Sequence, residues 1–455
     1  MITISTVPIR QRVRSTIIVL ALSMLLGGSV LAAQDVRDTD DVRDATSVES
    51  VVPTPVASAA VAYLPATSEL EAVATVADVP STPDPGLALA TPADSDRGLE
   101  QAVRVTPPPV ADPFGPITSP DVGDHCAASL DAAGISEFFS NPIGSFQGAD
   151  YQRAFRLADD RVLWTFQDAF ISGTLVHNVG MIQSGRCFTL LNSGARSWLL
   201  GELTSHMSQW QWIFDGGMNA DGSEFHLFVV QMNETGGSYL SKPRPTATRR
   251  VVLDVATLQV LDVIDEQATG SDLYGWGVTS DANYTYLYSH CYQQFGYDTL
   301  MGFGECSMDV KLARLPLGDF DAEREYWDGV GWTTNHTFAS PVVDGTFVFS
   351  GNNPAQIRFD GRRFVLVEKQ GDWWGKTVDF GVSDNPQGPF VHVASVDEPL
   401  KCDRSTCNTY FASWIPWTDS SGDFIWSIGH NRWNGAETLS YISTYRPTFL
   451  TIALP

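Results

Sequence analysis

Five times between residues 159 and 430, a short turn rich in Asp, Gly, Asn or Ser is followed by an apolar run with the character of a β-strand. The runs are Val162–Asp168, Phe225–Gln231, Tyr284–His290, Phe364–Gln370 and Phe424–His430, with starts 63, 59, 80 and 60 residues apart. Such a recurrence marks a repeat architecture, because one unit cannot bury its own apolar faces and stacked neighbours can. The one long spacing contains Phe295–Asp309, a Gly- and Cys-bearing stretch that reads as an inserted loop. A second strand-like stretch precedes each run, so each unit opens with a hairpin. The turns Asp254–Thr257 and Pro316–Asp319 supply further hairpins. Five units of about four strands predict an all-β fold, a five-bladed β-propeller over residues 123–455. A pair of β-sandwiches would use strands of similar length but would not produce the repeat.

Composition confines the repeat to that region, which holds all six Cys and all 13 Trp. Residues 34–122 are built from Ala, Val, Pro, Thr, Ser and Asp, with Tyr63 and Phe114 as the aromatics, and read as a disordered acidic linker. Residues 1–33 carry Arg10, Arg12 and Arg14, the apolar run Ile17–Leu26 and a small-residue end at Ala32–Ala33. That order is a signal peptide, or an uncleaved signal anchor, and predicts a secreted or cell-wall-associated protein. A net charge of −25 argues against a nucleic-acid partner. Six Cys in an exported chain imply disulfides. Cys402 with Cys407, Cys291 with Cys306 and Cys126 with Cys187 is one pairing among fifteen. The scattered His and the lack of C-x-x-C or H-E-x-x-H spacing give no cofactor or metal motif, leaving open a structural cation in the channel. A monomer is expected.

In a propeller the first strand of each blade lines the central channel and the second returns to the mouth where the first began. Asp150 and Asp168 are equidistant from position 159, inside the turn Ala158–Asp160, so both are expected at one mouth. At the corresponding positions of the other blades stand Trp212, Gln231, Tyr274, His290, Asn353, Tyr410 and His430. Aromatic faces mixed with hydrogen-bonding groups suit sugars, which present C–H faces and directed hydroxyls. The plainer alternative is that the aromatics are inter-blade core and the polar ends solvated termini. Asp215 and Glu234 are reserve acids, and Asp372, before Trp373–Trp374, is a candidate for a loop over the cleft.

The segments Gly148–Arg153, Val162–Ile171 and His177–Asn178 resemble the opening blade of a bacterial five-bladed propeller family that includes endo-D-arabinanases acting on mycobacterial-type walls. Its hallmark is a strand ending W-x-F-G-D-T-F followed by an Asn. The resemblance implies that Asp150 and Asp168 are catalytic and that Asn178 contacts substrate. The chain departs from the pattern with Gln167-Asp168-Ala169 in place of Gly-Asp-Thr. Val382–Phe390 also resembles a Gly-Pro turn common in propeller glycosidases. The expected function is hydrolysis of an arabinan-type or other cell-envelope polysaccharide, with Asp150 as base or nucleophile and Asp168 as acid, roles that could be exchanged. The alternative is a non-catalytic carbohydrate-binding propeller on an acidic stalk.

Overall fold

The computed structural model describes residues 112–192, 194–199, 209–233, 244–267, 269, 272–291, 309–349, 354–371, 375–432 and 441–455. The predicted signal peptide and most of the linker lie outside them, as does the region of the 295–309 insertion up to residue 308. No helix of the described residues is long and apolar enough to cross a membrane.

Five antiparallel sheets follow one another along the chain, as a five-bladed propeller requires. The five runs read from the sequence are the second strands: Val162–Ile171, Glu224–Asn233, Tyr284–Cys291, Phe364–Lys369 and Phe424–Arg432. The first strands are Arg153–Arg156 with the short Phe146–Ala149 in blade 1, then Gln209–Met218, Asp272–Ser280, Gln356–Phe359 and Cys407–Thr418. Blade 5 has three strands and ends at Thr448–Ile452.

Five buried apolar clusters show that the sheets form a closed ring. Leu163 packs with Leu227 and Val229 between blades 1 and 2, and Phe228 with Leu287 between blades 2 and 3. Tyr288 packs with Leu366 between blades 3 and 4, and Val367 with Trp426 between blades 4 and 5. Trp164 and Phe166 then meet Ile415 and Phe449, joining blade 1 to blade 5. Period-two alternation along each second strand supplies both faces at once.

Two clasps span this last seam. The helix Ala132–Phe139 exchanges hydrogen bonds between Ser136 and the backbone of Phe449. The segment 112–121, assigned to the linker from composition, lies on the ring. Phe114 is buried against Phe424 and Trp414, and its carbonyl accepts from Thr418 N at 3.0 Å. Arg156 then grips the carbonyls of Gly115 and Pro116 at 2.7 and 2.8 Å, and Ser119 N donates to Asp160 at 2.9 Å. The pairs Cys126–Cys187 and Cys402–Cys407 are disulfides, while the expected partner of Cys291 lies outside the described residues.

Candidate active site

The hairpin register holds through blade 1: Ala149 pairs with Ala169 and Arg153 with Thr165, so Asp150 falls opposite Asp168. Asp150 N donates to Asp168 O at 2.9 Å, and Asp168 N returns a bond to Asp150 Oδ1 at 3.0 Å. Between the two short inner strands the backbone bulges, and Tyr151 takes φ 47°. Left-handed backbone is costly for a side-chain-bearing residue and persists only where packing enforces it. Blade 5 repeats the device with Phe411 at φ 56°, inside a register shift between Tyr410 and Ser413. The two rings meet at 4.5 Å, and Trp276 closes on Tyr151 at 5.7 Å while stacking on Phe214 at 3.7 Å. Rings from four blades thus plug the channel below the aspartates.

The two carboxyls have different surroundings. Asp150 is 8% exposed; its Oδ2 accepts from Tyr410 Oη at 2.7 Å, and Tyr445 also hydrogen-bonds it. Burial, then the like charge of Asp168, pushes its pKa up to about 7, against the opposing pull of the tyrosine and backbone donors. Both tyrosines are held well above the ordinary phenol value, burial first and Asp150 second, so they remain donors. Asp168, with a side chain 17% exposed, contacts His177 Nδ1 at 2.6 Å and accepts from Trp212 Nε1 at 2.9 Å. Burial alone would lower the His177 pKa, but Asp168 and then Asp150 outweigh it and hold it above the ordinary imidazole value. The ring stacks on Trp210 at 4.8 Å.

A buried carboxyl that keeps its proton near neutrality, beside one hydrogen-bonded to an imidazole of raised pKa, is equipped to give and take protons at one mouth. A family model described as Domain of unknown function (DUF5005) matches residues 136–453. The chain belongs to the DUF5005 family. No curated protein matches it. Among solved structures, a "putative hydrolase" from Bacteroides ovatus is similar at 15% identity and TM-score 0.52, covering 70% of this chain and 89% of that one. The GH43_1 enzyme from Xanthomonas citri complexed with xylose is 12% identical, with TM-score 0.39 over 69% of this chain and 88% of that one. The Penicillium chrysogenum alpha-L-arabinanase is 9% identical, with TM-score 0.38 over 74% and 98%. At 15% identity the likeness to the Bacteroides ovatus protein is a likeness of fold alone.

In the DUF5005 propeller the other expected binding residues divide. Trp212 and Tyr410 join the aspartates, and Gln231 is half-buried at the same end of blade 2. Asn178 does not present its amide to a ligand as expected. It is fully buried, with φ 46°; its Oδ1 accepts from Leu199 N at 2.8 Å and its Nδ2 donates to Gln211 O at 3.3 Å. Tyr274 is core against Tyr326. His290 is buried edge-on to Trp276, and burial lowers its pKa to about 3; His430 is buried on Thr448 Oγ1 at 2.9 Å. These three correct the expectation of mouth-facing side chains: Tyr274 on a first strand, and His290 and His430 at the ends of second strands, pack into the interior against neighbours of their own blades. Asn353, Glu234 and Asp372 lie outside the described residues. The reserve acid Asp215 is fully buried and bound by Arg358 at 2.7 and 2.8 Å, a tie between blades 2 and 4.

Sequence reasoning missed His177, Trp210 and Tyr445. His177 was accessible to it, since the turn Ser172–Gly173 places it directly opposite Asp168. A cavity of about 590 Å³ opens at the other mouth, where Phe155, Met218, Phe225, Phe359 and Arg358 face the Phe114 segment. Among the described residues no group of three or more His, Cys, Asp or Glu could hold a metal.

Proposed function

We propose that the propeller is a glycoside hydrolase in which Asp150 donates a proton to the leaving oxygen and Asp168 serves as base or nucleophile. The observation that carries this reading is the asymmetry of the pair. Burial raises Asp150 to about 7, whereas Asp168 is the more exposed and holds the imidazole of His177, whose pKa it raises. The roles are the reverse of those first expected, because the burial falls on Asp150. Trp212, half-buried beside Asp168, supplies a flat face for a sugar ring. The hydrolase description of the Bacteroides ovatus protein agrees with the reaction class. Arabinan-type envelope polysaccharide is the first substrate to test, on the blade 1 resemblance to a family that includes endo-D-arabinanases. The disulfide pairs support an oxidising, extracytoplasmic location.

A carbohydrate-binding propeller without catalysis is favoured by one observation: both oxygens of Asp150 are engaged by donors of the fold. Incubating the purified protein, with Asp150→Asn and Asp168→Asn variants, against arabinan and arabinogalactan separates the readings. Sugar release lost in both variants supports the hydrolase, and retention of glycan without release supports the binder. Release unchanged in either variant removes the site assignment.

A further inference from the structure

The central channel contains a charge for which the described residues provide no counter-ion. Arg153, on the innermost strand of blade 1, is fully buried. Its Nη1 donates to Ala412 O at 3.1 Å and to the Ser413 hydroxyl, and its Nη2 to Tyr151 Oη at 3.1 Å. Its guanidinium carbon lies 4.4 Å from the centroid of the Tyr151 ring. All these partners are neutral. Asp215, the buried acid whose field also reaches Tyr151, is already committed to Arg358. A guanidinium does not discharge by losing a proton, and an unpaired buried charge is strongly disfavoured.

Unpartnered atoms around Arg153 point to the sign of what is needed. Among the described residues Arg153 Nε has no hydrogen-bond partner, and neither has Gln356 Nε2, whose Oε1 accepts from Trp414 N at 2.6 Å. Through their other polar atoms the two side chains reach the same Ser413–Trp414 step of blade 5 from blades 1 and 4. Trp276 Nε1, on the ring that closes on Tyr151, is a third buried donor without a partner. Against these stand one acceptor, Gln152 Oε1, and the Thr165 hydroxyl, which can act either way. Buried polar groups in folded proteins are nearly all satisfied by protein, water or ions, so an uncompensated cation with one open donor of its own and two more on neighbouring side chains describes an anion's surroundings.

We propose that the channel binds one halide-sized anion, chloride in ordinary media, at Arg153 Nε with Gln356 Nε2 as a second donor. The aromatic walls favour a weakly hydrated monovalent ion, because an oxyanion of higher charge loses more on leaving water. A structural cation, the occupant first considered for the channel, would meet the Arg153 charge directly. The site is independent of the proposed hydrolysis.

Crystals of the protein grown or soaked in sodium bromide should show an anomalous peak within hydrogen-bonding distance of Arg153 Nε. At fixed ionic strength and pH, replacing gluconate by chloride or bromide at about 100 times Kd should raise the Tm by roughly 3–5 °C. Arg153→Met should lose that dependence. Bromide peaks confined to the surface, together with one Tm in gluconate and chloride, would overturn the proposal. Both wild-type measurements decide it even if the variant does not fold.

Discussion

Replacing Asp150 by Asn should make the protein more stable at alkaline pH while abolishing its proposed activity. The ordinary carboxyl value is 3.8 and the folded value about 7, so between these the folded state holds one proton more than the unfolded state. Stability therefore falls as pH rises through that window, by about 1.4 kcal/mol per unit and about 4 kcal/mol in total. At pH 4 the carboxyl is neutral in the fold, and Asn costs only what its altered bonds to Tyr410 and Asp168 N are worth. At pH 8 the wild type must bury a charge that the variant lacks. With an unfolding entropy of about 2.1 cal/mol/K per residue over some 340 residues, that advantage corresponds to roughly 6 °C in Tm. Thermal denaturation of both proteins at pH 4 and pH 8 measures it, with variant minus wild type growing by that amount at the higher pH. Asp168→Asn removes the like charge but leaves the burial, so its stability should retain most of the wild-type pH dependence. A variant-to-wild-type difference that stays constant within about 1 kcal/mol across the range would refute the assignment of Asp150 as a buried carboxyl of raised pKa.

Turnover of a sugar substrate should fall above about pH 7, roughly tenfold per unit, as Asp150 loses its proton; a pH–rate profile checks this. His177→Phe preserves a ring to stack on Trp210 but removes the imidazole bonded to Asp168, and should lower kcat at least about tenfold and displace the pH profile with less effect on KM. Phe114→Ala should destabilise by about 3–5 kcal/mol in denaturant titrations, since the ring is buried against Trp414 and Phe424 of blade 5. Asp215→Asn should cost about 3–5 kcal/mol by leaving the Arg358 charge without its partner, in contrast to the stabilising change at Asp150.

The second strands were legible because period-two alternation after an Asp-Gly or Ser-Gly turn is a local signal, and the same hairpin arithmetic brought Asp150 opposite Asp168. The channel plug was not legible. Nothing local marks Tyr151 or Phe411 for a left-handed backbone, which the packing of rings from different blades imposes. Nor could a polar residue closing an apolar run be assigned to mouth or interior: Asp168 reaches the mouth, whereas His430 is sealed against Thr448. Tyr445 lies nearly three hundred residues from Asp150, and only ring closure brings the two together. The Phe114 segment escaped notice because its composition is that of the linker, and its attachment depends on backbone carbonyls that Arg156 would bind in any sequence.

That attachment determines how the domain answers to force. The chain joins the ring at the mouth opposite the aspartates, where Pro113, Phe114 and Thr118 border the cavity. A pull applied at Asp112 is taken up in shear by the Phe114 ring, the Arg156 fork and the Asp160 carboxylate, all on the far side of the aromatic plug. Arg156 and Asp160 belong to the same blade 1 hairpin as Asp150 and Asp168 but to its opposite end, so a tug from the upstream side enters that hairpin at the mouth turned away from the proton-transferring pair.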